Sequence, residues 1–443
     1  MARHLHLLRL LCLAAVVTAA RAMFRFDFGD FDMGGGSYGR HDSWGRAALE
    51  SQVRTATDAA KPPAQAPTSK GGGGDISTAD VAITPYADLG HWVTVGVGTP
   101  PQPSKLIIDM GSSLAWTQCK LFGPTAKQEE PVYDPAKSSS FSVLPCSSKQ
   151  CQDSFFTGKN CTADRCIYDN DYGVLTADGF LATETFTFGA DRSVSVSIPF
   201  GCGALSSGHI SGASGILGLS PGPLSLITQL DIPRFSYCLT PFADRKASPL
   251  LFGAMADLSK HKATGPIQTT SILRNPVADI YYYVPLVGLS LGPKQLDVPP
   301  ASFAIKPDGT GGTVVDSATT LANLAEPAFG ELKKAVTEAL KLPAANRTAE
   351  GYEVCFALPP GAAMSKVEAP PLHLHFDGGA VMSLPRENYF QEPSPGLMCL
   401  AVVKTPHPMS PSVIGNVQQQ NMHVVYDVRD NKFSFAPTQC DKL

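Results

Sequence analysis

Charged residues are scarce in this chain of 443 residues: Asp, Glu, Lys and Arg make up 17%, and the formal net charge is −4. Proteins that bind nucleic acid through its phosphates carry a surplus of basic side chains, so the composition argues against nucleic acid as a partner. Glycine and proline are abundant instead, at 40 and 37 residues, which is typical of a globular protein built from many short strands.

Long apolar runs are also missing, except at the N-terminus. There the stretch LLRLLCLAAVVTAA follows a basic start, and small residues end at Ala22. This pattern predicts a secretory signal peptide over residues 1–22. A membrane anchor is the alternative, but the apolar core is shorter than the ~18–20 residues that a span requires. We therefore expect no membrane anchor.

Of the 11 cysteines, Cys12 leaves with the signal peptide, and an even number remains for an oxidising compartment. These cysteines predict five disulfides. The alternative is a four-thiolate zinc site at the Cys-x4-Cys pairs that begin at Cys146 and Cys161. That spacing is wide for structural zinc, so we expect no metal and no cofactor.

Two sequons, at Asn160 and Asn346, are candidate N-glycosylation sites and agree with secretion. Residues 23–80 are rich in Gly, Pro and Ala and show little periodicity. They are either a disordered tail or a propeptide with a linker, and we favour the propeptide because of the sequence that follows.

From about residue 81, short apolar runs alternate with turn residues, which predicts a mainly β protein with few helices. The clearest helix candidate is AEPAFGELKKAVTEALKL, with Pro327 in its opening turn.

An internal repeat stands out in this region. LIIDMGSSL and TVVDSATTL share one template and place Asp109 and Asp316 207 residues apart (109 to 316). Downstream, GILGLS and SVIGNV each put two apolar residues before a glycine, and Gly218 and Gly415 are 197 residues apart (218 to 415). Two features with nearly the same offset predict a duplicated lobe.

The repeat divides the chain into an N-terminal lobe, 81–265, and a C-terminal lobe, 266–443. Each lobe would contribute a strand that ends in an aspartate, with an apolar-apolar-Gly strand beside it. Two carboxylates that meet at the lobe junction cannot both ionise, so one keeps its proton. Such a pair can activate a water molecule and polarise a carbonyl, which predicts hydrolysis of peptide bonds at acid pH.

Residues 85–443 resemble the pepsin-like aspartic proteases, and within them the plant nepenthesin-like branch. The stretches that carry the resemblance are, in chain order, VGVGTPPQPSKLIIDMGSSLAWTQC, VYDPAKSSSFSVLPCSSKQC, GILGLSPGPLSLITQL, VVDSATTL and VIGNVQQQNMHVVYDVRDNKFSFAPTQC. The resemblance implies a bilobal fold of two β-barrel-like lobes with the active-site cleft between them. It also implies a monomeric zymogen that acts on protein or peptide substrates and is secreted to the apoplast, with the vacuole as the alternative.

The resemblance assigns Asp109 and Asp316 as the catalytic pair. It assigns Tyr172 as the flap tyrosine that closes over substrate and Trp116 as the aromatic that supports the flap, although ordinary packing would also account for either ring. The remaining active-site loop residues are Gly111, Ser112, Ser317 and Thr319.

The same branch implies a disulfide pattern. The implied pairs are Cys146–Cys166, Cys151–Cys161, Cys238–Cys440 and Cys355–Cys399, which leaves Cys119 and Cys202 for each other.

Two positions depart from the family pattern. Met110 stands where a threonine normally makes a cross-lobe hydrogen bond beneath the pair, although Ser317 still offers that bond from the other lobe. Ala318 stands where glycine is normal, so its Cβ enters a narrow space, with added strain if φ is positive there. Both changes threaten geometry and leave the acids in place. We therefore expect an aspartic endopeptidase of reduced activity; the alternative is a catalytically impaired binding protein on the same fold, similar to xylanase inhibitors.

Overall fold

The structure, a computed structural model, describes residues 75–86, 90–121, 125–153, 161–173, 175–189 and 193–443. The expected signal peptide, residues 1–22, lies outside the described residues, as does nearly all of the segment 23–80. The sequon residue Asn160 also lies outside them.

Short strands dominate both lobes. In the first lobe the strands are β1 Asp80–Tyr86, β2 Gly90–Val97, β3 Gln102–Asp109, β4 Trp116–Gln118, β5 Ser142–Val143, β6 Cys161–Thr162, β7 Arg165–Asp171, β8 Thr176–Phe188, β9 Val194–Ser207, β10 Gly215–Gly218, β11 Arg234–Cys238 and β12 Ser248–Phe252. In the second lobe they are β13 Gln268–Ser271, β14 Leu286–Leu291, β15 Lys294–Gln295, β16 Thr313–Val315, β17 Ala322–Leu324, β18 Cys355–Ala357, β19 Leu372–Phe376, β20 Val381–Leu384, β21 Phe390–Ser394, β22 Leu397–Leu400, β23 Val402–Lys404, β24 Ser412–Ile414, β25 Met422–Asp427 and β26 Lys432–Pro437.

Helices are few. The α-helices of the described residues are α1 Lys149–Asp153, α2 Leu226–Gln229, α3 Glu326–Leu340 and α4 Asn416–Gln419. The 3-10 turns are Ile76–Thr78, Pro135–Lys137, Phe242–Asp244, Gly253–Met255, Leu258–Lys260, Pro300–Phe303, Met364–Lys366, Arg386–Asn388 and Cys440–Lys442. None of these helices is long and apolar enough to cross a membrane.

The long helix α3 confirms the helix expected from sequence. Pro327 lies in its first turn, where a missing N–H costs nothing. Its buried residues recur every three or four positions and pack into the second lobe. The helix ends at Lys341, whose φ of 54° is left-handed.

One sheet joins the two lobes. It has 15 strands, and its order places β13, β26 and β25 beside β11, followed by the other strands of the first lobe. Three smaller sheets complete the second lobe, in the orders β15-β14-β19-β20, β16-β24-β17-β23 and β18-β22-β21. The mainly β, two-lobed architecture is therefore confirmed. We keep the division near residue 265 as a proposal. It is supported by β13, the first strand after that point, which pairs with β26 from the end of the same lobe.

The internal repeat is realised as two equivalent strand pairs. In the first lobe, β3 runs parallel to β10 with Asp109 opposite Gly218. In the second lobe, β16 runs parallel to β24 with Val315 opposite Ile414, one residue before Asp316 and Gly415. The expectation of one Asp strand beside one apolar-apolar-Gly strand in each lobe is confirmed.

Five disulfides are formed, but two expected pairings were wrong. The structure joins Cys119 to Cys202, Cys238 to Cys440 and Cys355 to Cys399. In place of Cys146–Cys166 and Cys151–Cys161, it joins Cys146 to Cys161 and Cys151 to Cys166. The physical reason is burial, because α1 turns Cys151 inward onto the buried Cys166, whereas Cys146 and Cys161 lie nearer the surface.

The close packing of β10 predicts a large cost for adding one methyl group. A Cβ at Gly215 would lie 2.0 Å from the carbonyl oxygen of Trp116 and 2.8 Å from Cα of Thr117. Both contacts are backbone in a neighbouring strand, so we expect Gly215→Ala to lower the free energy of unfolding by about 3 kcal/mol or more. Urea unfolding measures this.

Gly330 provides the matched control, because a Cβ there would meet no atom within 4 Å. It lies inside α3, where alanine is favoured over glycine by about 0.5–1 kcal/mol. Equal stability of Gly215→Ala and Gly330→Ala would show that β10 is not packed as described.

Candidate active site

Two loops bring two carboxylates together at the lobe junction. Strand β3 buries Leu106 and Ile108 completely and ends at Asp109, whose exposure is only 5%. A carboxylate so placed needs donors. The N–H of Gly111 supplies one, 2.7 Å from Asp109 Oδ1.

Asp316, at the end of β16, has more donors. The N–H of Ala318 lies 3.1 Å from Oδ1, and the N–H of Thr319 lies 3.1 Å from Oδ2. The Thr319 hydroxyl donates to the same Oδ2 at 2.6 Å. Asp316 therefore accepts three hydrogen bonds from the residues of its own loop.

The two side chains share a hydrogen bond, with Gly111 between them. A Cβ at Gly111 would lie 3.2 Å from Asp109 Oδ1 and 3.4 Å from Asp316 Oδ2, so a side chain there would crowd both carboxylates. Burial raises the pKa of Asp109 well above its ordinary value, and the Asp316 charge and hydrogen bond raise it further. Asp109 is therefore the member of the pair that keeps the proton.

Each glycine of the repeat lets an Asp loop pass close to the neighbouring strand. A Cβ at Gly218 would lie 2.6 Å from the Ser112 carbonyl oxygen, and one at Gly415 would lie 2.8 Å from the Thr319 carbonyl oxygen. The repeated glycine is thus a requirement of close backbone approach on both sides of the junction.

Beneath the pair, one hydroxyl spans the two lobes. Ser317 Oγ donates to the carbonyl oxygen of Ile108 at 2.7 Å and lies 2.8 Å from Met110 Sδ. Met110 is fully buried and has no donor of its own, so the cross-lobe hydrogen bond is made from one side only.

Ala318 is accommodated without the backbone strain considered from sequence. Its φ is not positive, so the left-handed penalty does not arise. Its methyl group packs against the first-lobe aromatic cluster that contains Trp116 and Tyr172. The substitution therefore adds an apolar contact across the junction.

Tyr172 lies in the loop of the β7–β8 hairpin, as a flap residue should. Its hydroxyl is 3.5 Å from Ser112 Oγ and receives a hydrogen bond from Asn170 Nδ2 at 3.2 Å. Its ring centroid is 6.4 Å from that of Trp116. Burial raises the pKa of Tyr172 to about 12, so its hydroxyl keeps its proton.

The structure also brings in residues that the sequence motifs did not mark. Gln419 Nε2 lies 3.0 Å from the carbonyl oxygen of Asp316, and Asn416 Nδ2 lies 2.8 Å from that of Ser317. Asn170 donates to the Tyr172 hydroxyl, and burial raises the pKa of Tyr281, with the charges of Tyr283 and of both aspartates adding to the effect. One available signal was the segment Asn416–Gln420, shortly after an apolar strand, since its four polar residues need buried partners.

The raised pKa of Asp109 predicts how stability depends on pH. Asp109 binds its proton more tightly in the folded state than in the unfolded state. Its contribution to the free energy of unfolding is therefore complete below the unfolded pKa of 3.8 and is lost as the pH rises through the folded pKa. Asn at position 109 cannot ionise. We therefore expect the difference in melting temperature, Asp109→Asn minus the unsubstituted protein, to increase between about pH 4 and pH 7.

Scanning calorimetry across that range measures this difference, with the exposed Asp244→Asn as control. A difference that stays flat with pH for Asp109→Asn would contradict the assignment of the proton to Asp109.

Comparisons with known proteins agree with this geometry. Residues 91–254 match the family model described as xylanase inhibitor N-terminal, and residues 281–437 match the xylanase inhibitor C-terminal model. Among curated proteins, aspartic proteinase nepenthesin-1 of Nepenthes gracilis is 40% identical over 367 residues, covering 81% of this chain and 80% of the relative. Aspartic proteinase nepenthesin-2 of the same organism is 36% identical over 367 residues, covering 82% and 81%.

A solved crystal structure of edgp supports the fold alone. It superposes with a TM-score of 0.66 at 18% identity, covering 82% of this chain and 95% of that one.

Proposed function

We propose that this chain is an active endopeptidase, because it belongs to the pepsin-like aspartic proteases and to their plant nepenthesin-like branch. The observation that carries the proposal is the asymmetric pair: a buried, protonated Asp109 that shares a hydrogen bond with an Asp316 surrounded by donors.

The chemistry follows from that asymmetry. Asp316 takes a proton from a water molecule between the carboxyl groups, while Asp109 donates its proton to the scissile carbonyl oxygen. The water oxygen bonds to the carbonyl carbon and gives a tetrahedral intermediate. The proton on Asp316 then passes to the amide nitrogen and the C–N bond breaks. The hydroxyl formed from the carbonyl oxygen returns its proton to Asp109, which leaves a carboxylic acid and an amine. Tyr172 covers the bound peptide and excludes bulk water.

Activity requires one proton on the pair, so the rate falls where pH exceeds the raised pKa of Asp109. The one-sided hydrogen bond beneath the pair leaves the loops less constrained, so we infer a reduced rate.

Secretion belongs to the same proposal. Five disulfides suit an oxidising compartment, and Asn346 is exposed, as a glycosylation acceptor must be. We propose that the chain enters the secretory pathway through residues 1–22, loses residues 23–80 on activation, and acts as a monomer on proteins or peptides in the apoplast or vacuole.

The alternative is a binding protein that inhibits a xylanase. It is favoured by the descriptions of the two matching family models and by Met110 and Ala318 at the active-site loops. Inhibition of a xylanase by stoichiometric protein, without any peptidase activity, would support this alternative.

The test is cleavage of denatured haemoglobin by the secreted, processed protein between about pH 2 and pH 6, with and without pepstatin. We expect pepstatin-sensitive cleavage with an acid optimum. Absence of cleavage throughout this range would refute the proposal.

A further inference from the structure

We infer that His91 is a positioning residue for the second active-site loop: through Asn416 it fixes the peptide group that donates to Asp316. The inference rests on the proposed peptidase function and assigns a role in it to a first-lobe histidine. His91 lies in β2, and 325 residues separate it from Asn416.

The protonation of the ring follows from its partners. His91 is fully buried, and its Nε2 lies 2.8 Å from the carbonyl oxygen of Thr240. A carbonyl oxygen only accepts, so Nε2 carries the hydrogen. In the neutral ring Nδ1 is then an acceptor, and it lies 3.1 Å from Asn416 Nδ2.

The orientation of the Asn416 amide is equally determined. Its Nδ2 has two hydrogens, which go to His91 Nδ1 and to the carbonyl oxygen of Ser317 at 2.8 Å. Its Oδ1 accepts from Gln420 Nε2 at 3.2 Å. Reversing the amide would put its oxygen against the Ser317 carbonyl oxygen, so His91 fixes which end faces the loop.

That carbonyl belongs to the peptide group whose N–H serves Asp316. The Ser317 carbonyl and the Ala318 N–H form one planar unit, and the N–H donates to Asp316 Oδ1 at 3.1 Å. Holding the oxygen therefore aims the N–H, and a hydrogen bond accepted at the oxygen strengthens the one donated by the nitrogen.

The arrangement has an acid limit. Burial lowers the pKa of His91 to about 4, with the Thr240 hydrogen bond opposing it. The other groups against the ring are Phe242, at 5.4 Å between centroids, and Pro85 of β1, both uncharged. The charged groups of the neighbouring segments are Asp244, Arg245 and Lys246, all exposed, and Asp316 beyond Asn416. A proton on Nδ1 would face the Asn416 donor, and the chain of hydrogen bonds would break.

The first test needs no peptidase activity. In the secreted protein labelled with 15N at asparagine, the Asn416 side-chain amide, assigned with Asn416→Asp, should titrate with a midpoint at about pH 4. The titration should vanish in His91→Asn, whose Oδ1 can take the place of Nδ1 and does not ionise in this range. An Asn416 amide that does not change between about pH 3 and pH 6 in the unsubstituted protein would overturn the inference.

The second test connects the contact to the reaction. We expect His91→Phe to lower kcat by about 10- to 100-fold with little change in KM, because the Asp316 loop loses its orientation. His91→Asn should recover part of that loss and should retain its activity to lower pH than the unsubstituted protein.

The matched control is His423→Phe. Burial also lowers the pKa of His423 to about 4, but its Nε2 contacts Ser236 Oγ at 3.0 Å and not the active-site loops. The kcat of His423→Phe, and the dependence of that kcat on pH, should match those of the unsubstituted protein. A similar loss of kcat in both Phe variants would overturn the positioning role of His91. If the unsubstituted protein cleaves nothing, the proposed function is refuted, and the titration of the Asn416 amide decides the inference.

Discussion

Replacing Asp109 with Asn lowers kcat for peptide cleavage by about 10³-fold or more, while the protein remains folded. Asn has the shape of the protonated carboxyl group that the structure assigns to Asp109. Its Oδ1 can accept from Gly111 and its Nδ2 can donate to Asp316, so the contacts survive. What is lost is the acidic proton that moves to the carbonyl oxygen of the substrate.

This substitution separates chemistry from stability. Steady-state cleavage of a defined peptide measures the loss, and unfolding at neutral pH shows that the variant is at least as stable as the unsubstituted protein. The exposed Asp244→Asn should change neither quantity. Asp109→Asn with unchanged cleavage would place the catalytic proton elsewhere.

Removing the hydroxyl beneath the pair gives the second large effect. Ser317→Ala deletes the hydrogen bond to the Ile108 carbonyl oxygen, and Met110 has no donor to replace it. Without that hydrogen bond the two loops are less firmly held against each other, and a shift approaching 1 Å lowers kcat by about 10²-fold. KM should change much less, because the hydroxyl lies below the carboxyl groups and away from bound peptide.

Met110→Thr should restore part of this loss. By the symmetry of the two loops, a Thr hydroxyl at 110 would reach back towards the second lobe and make the bond from the opposite side. The control is Met110→Val, which has the shape of Thr without the hydroxyl. Equal kcat for the Thr and Val variants in the Ser317→Ala background would show that rigidity does not depend on a cross-lobe hydrogen bond.

The sequence predicted the parts of the site whose causes are local. A strand that ends in Asp-x-Gly or Asp-x-Ala followed by hydroxyl residues determines its own loop, and its repetition located Asp109 and Asp316 and the parallel partner strands. The helix α3 was equally readable, because its apolar residues follow one face.

Long-range contacts explain what the sequence did not predict. The bridges of Cys146 and Cys151 depend on which thiol α1 turns inward, a matter of burial and not of spacing. His91 and Asn416 are far apart along the chain and no spacing pairs them, so their contact appears only when the two lobes pack. The strain considered at Ala318 was conditional on a positive φ, and the structure does not meet that condition.

The central claim is that the pair remains catalytic despite Met110 and Ala318. Titrating the processed protein with a statine-containing peptide inhibitor, while the cleavage rate of one defined peptide is followed at acid pH, tests it most directly. We predict that the rate falls linearly to zero at one inhibitor per molecule, and that Asp109→Asn leaves no inhibitor-sensitive rate to titrate. Cleavage that survives both the inhibitor and the substitution, or a pure protein with no cleavage to titrate, would contradict the account.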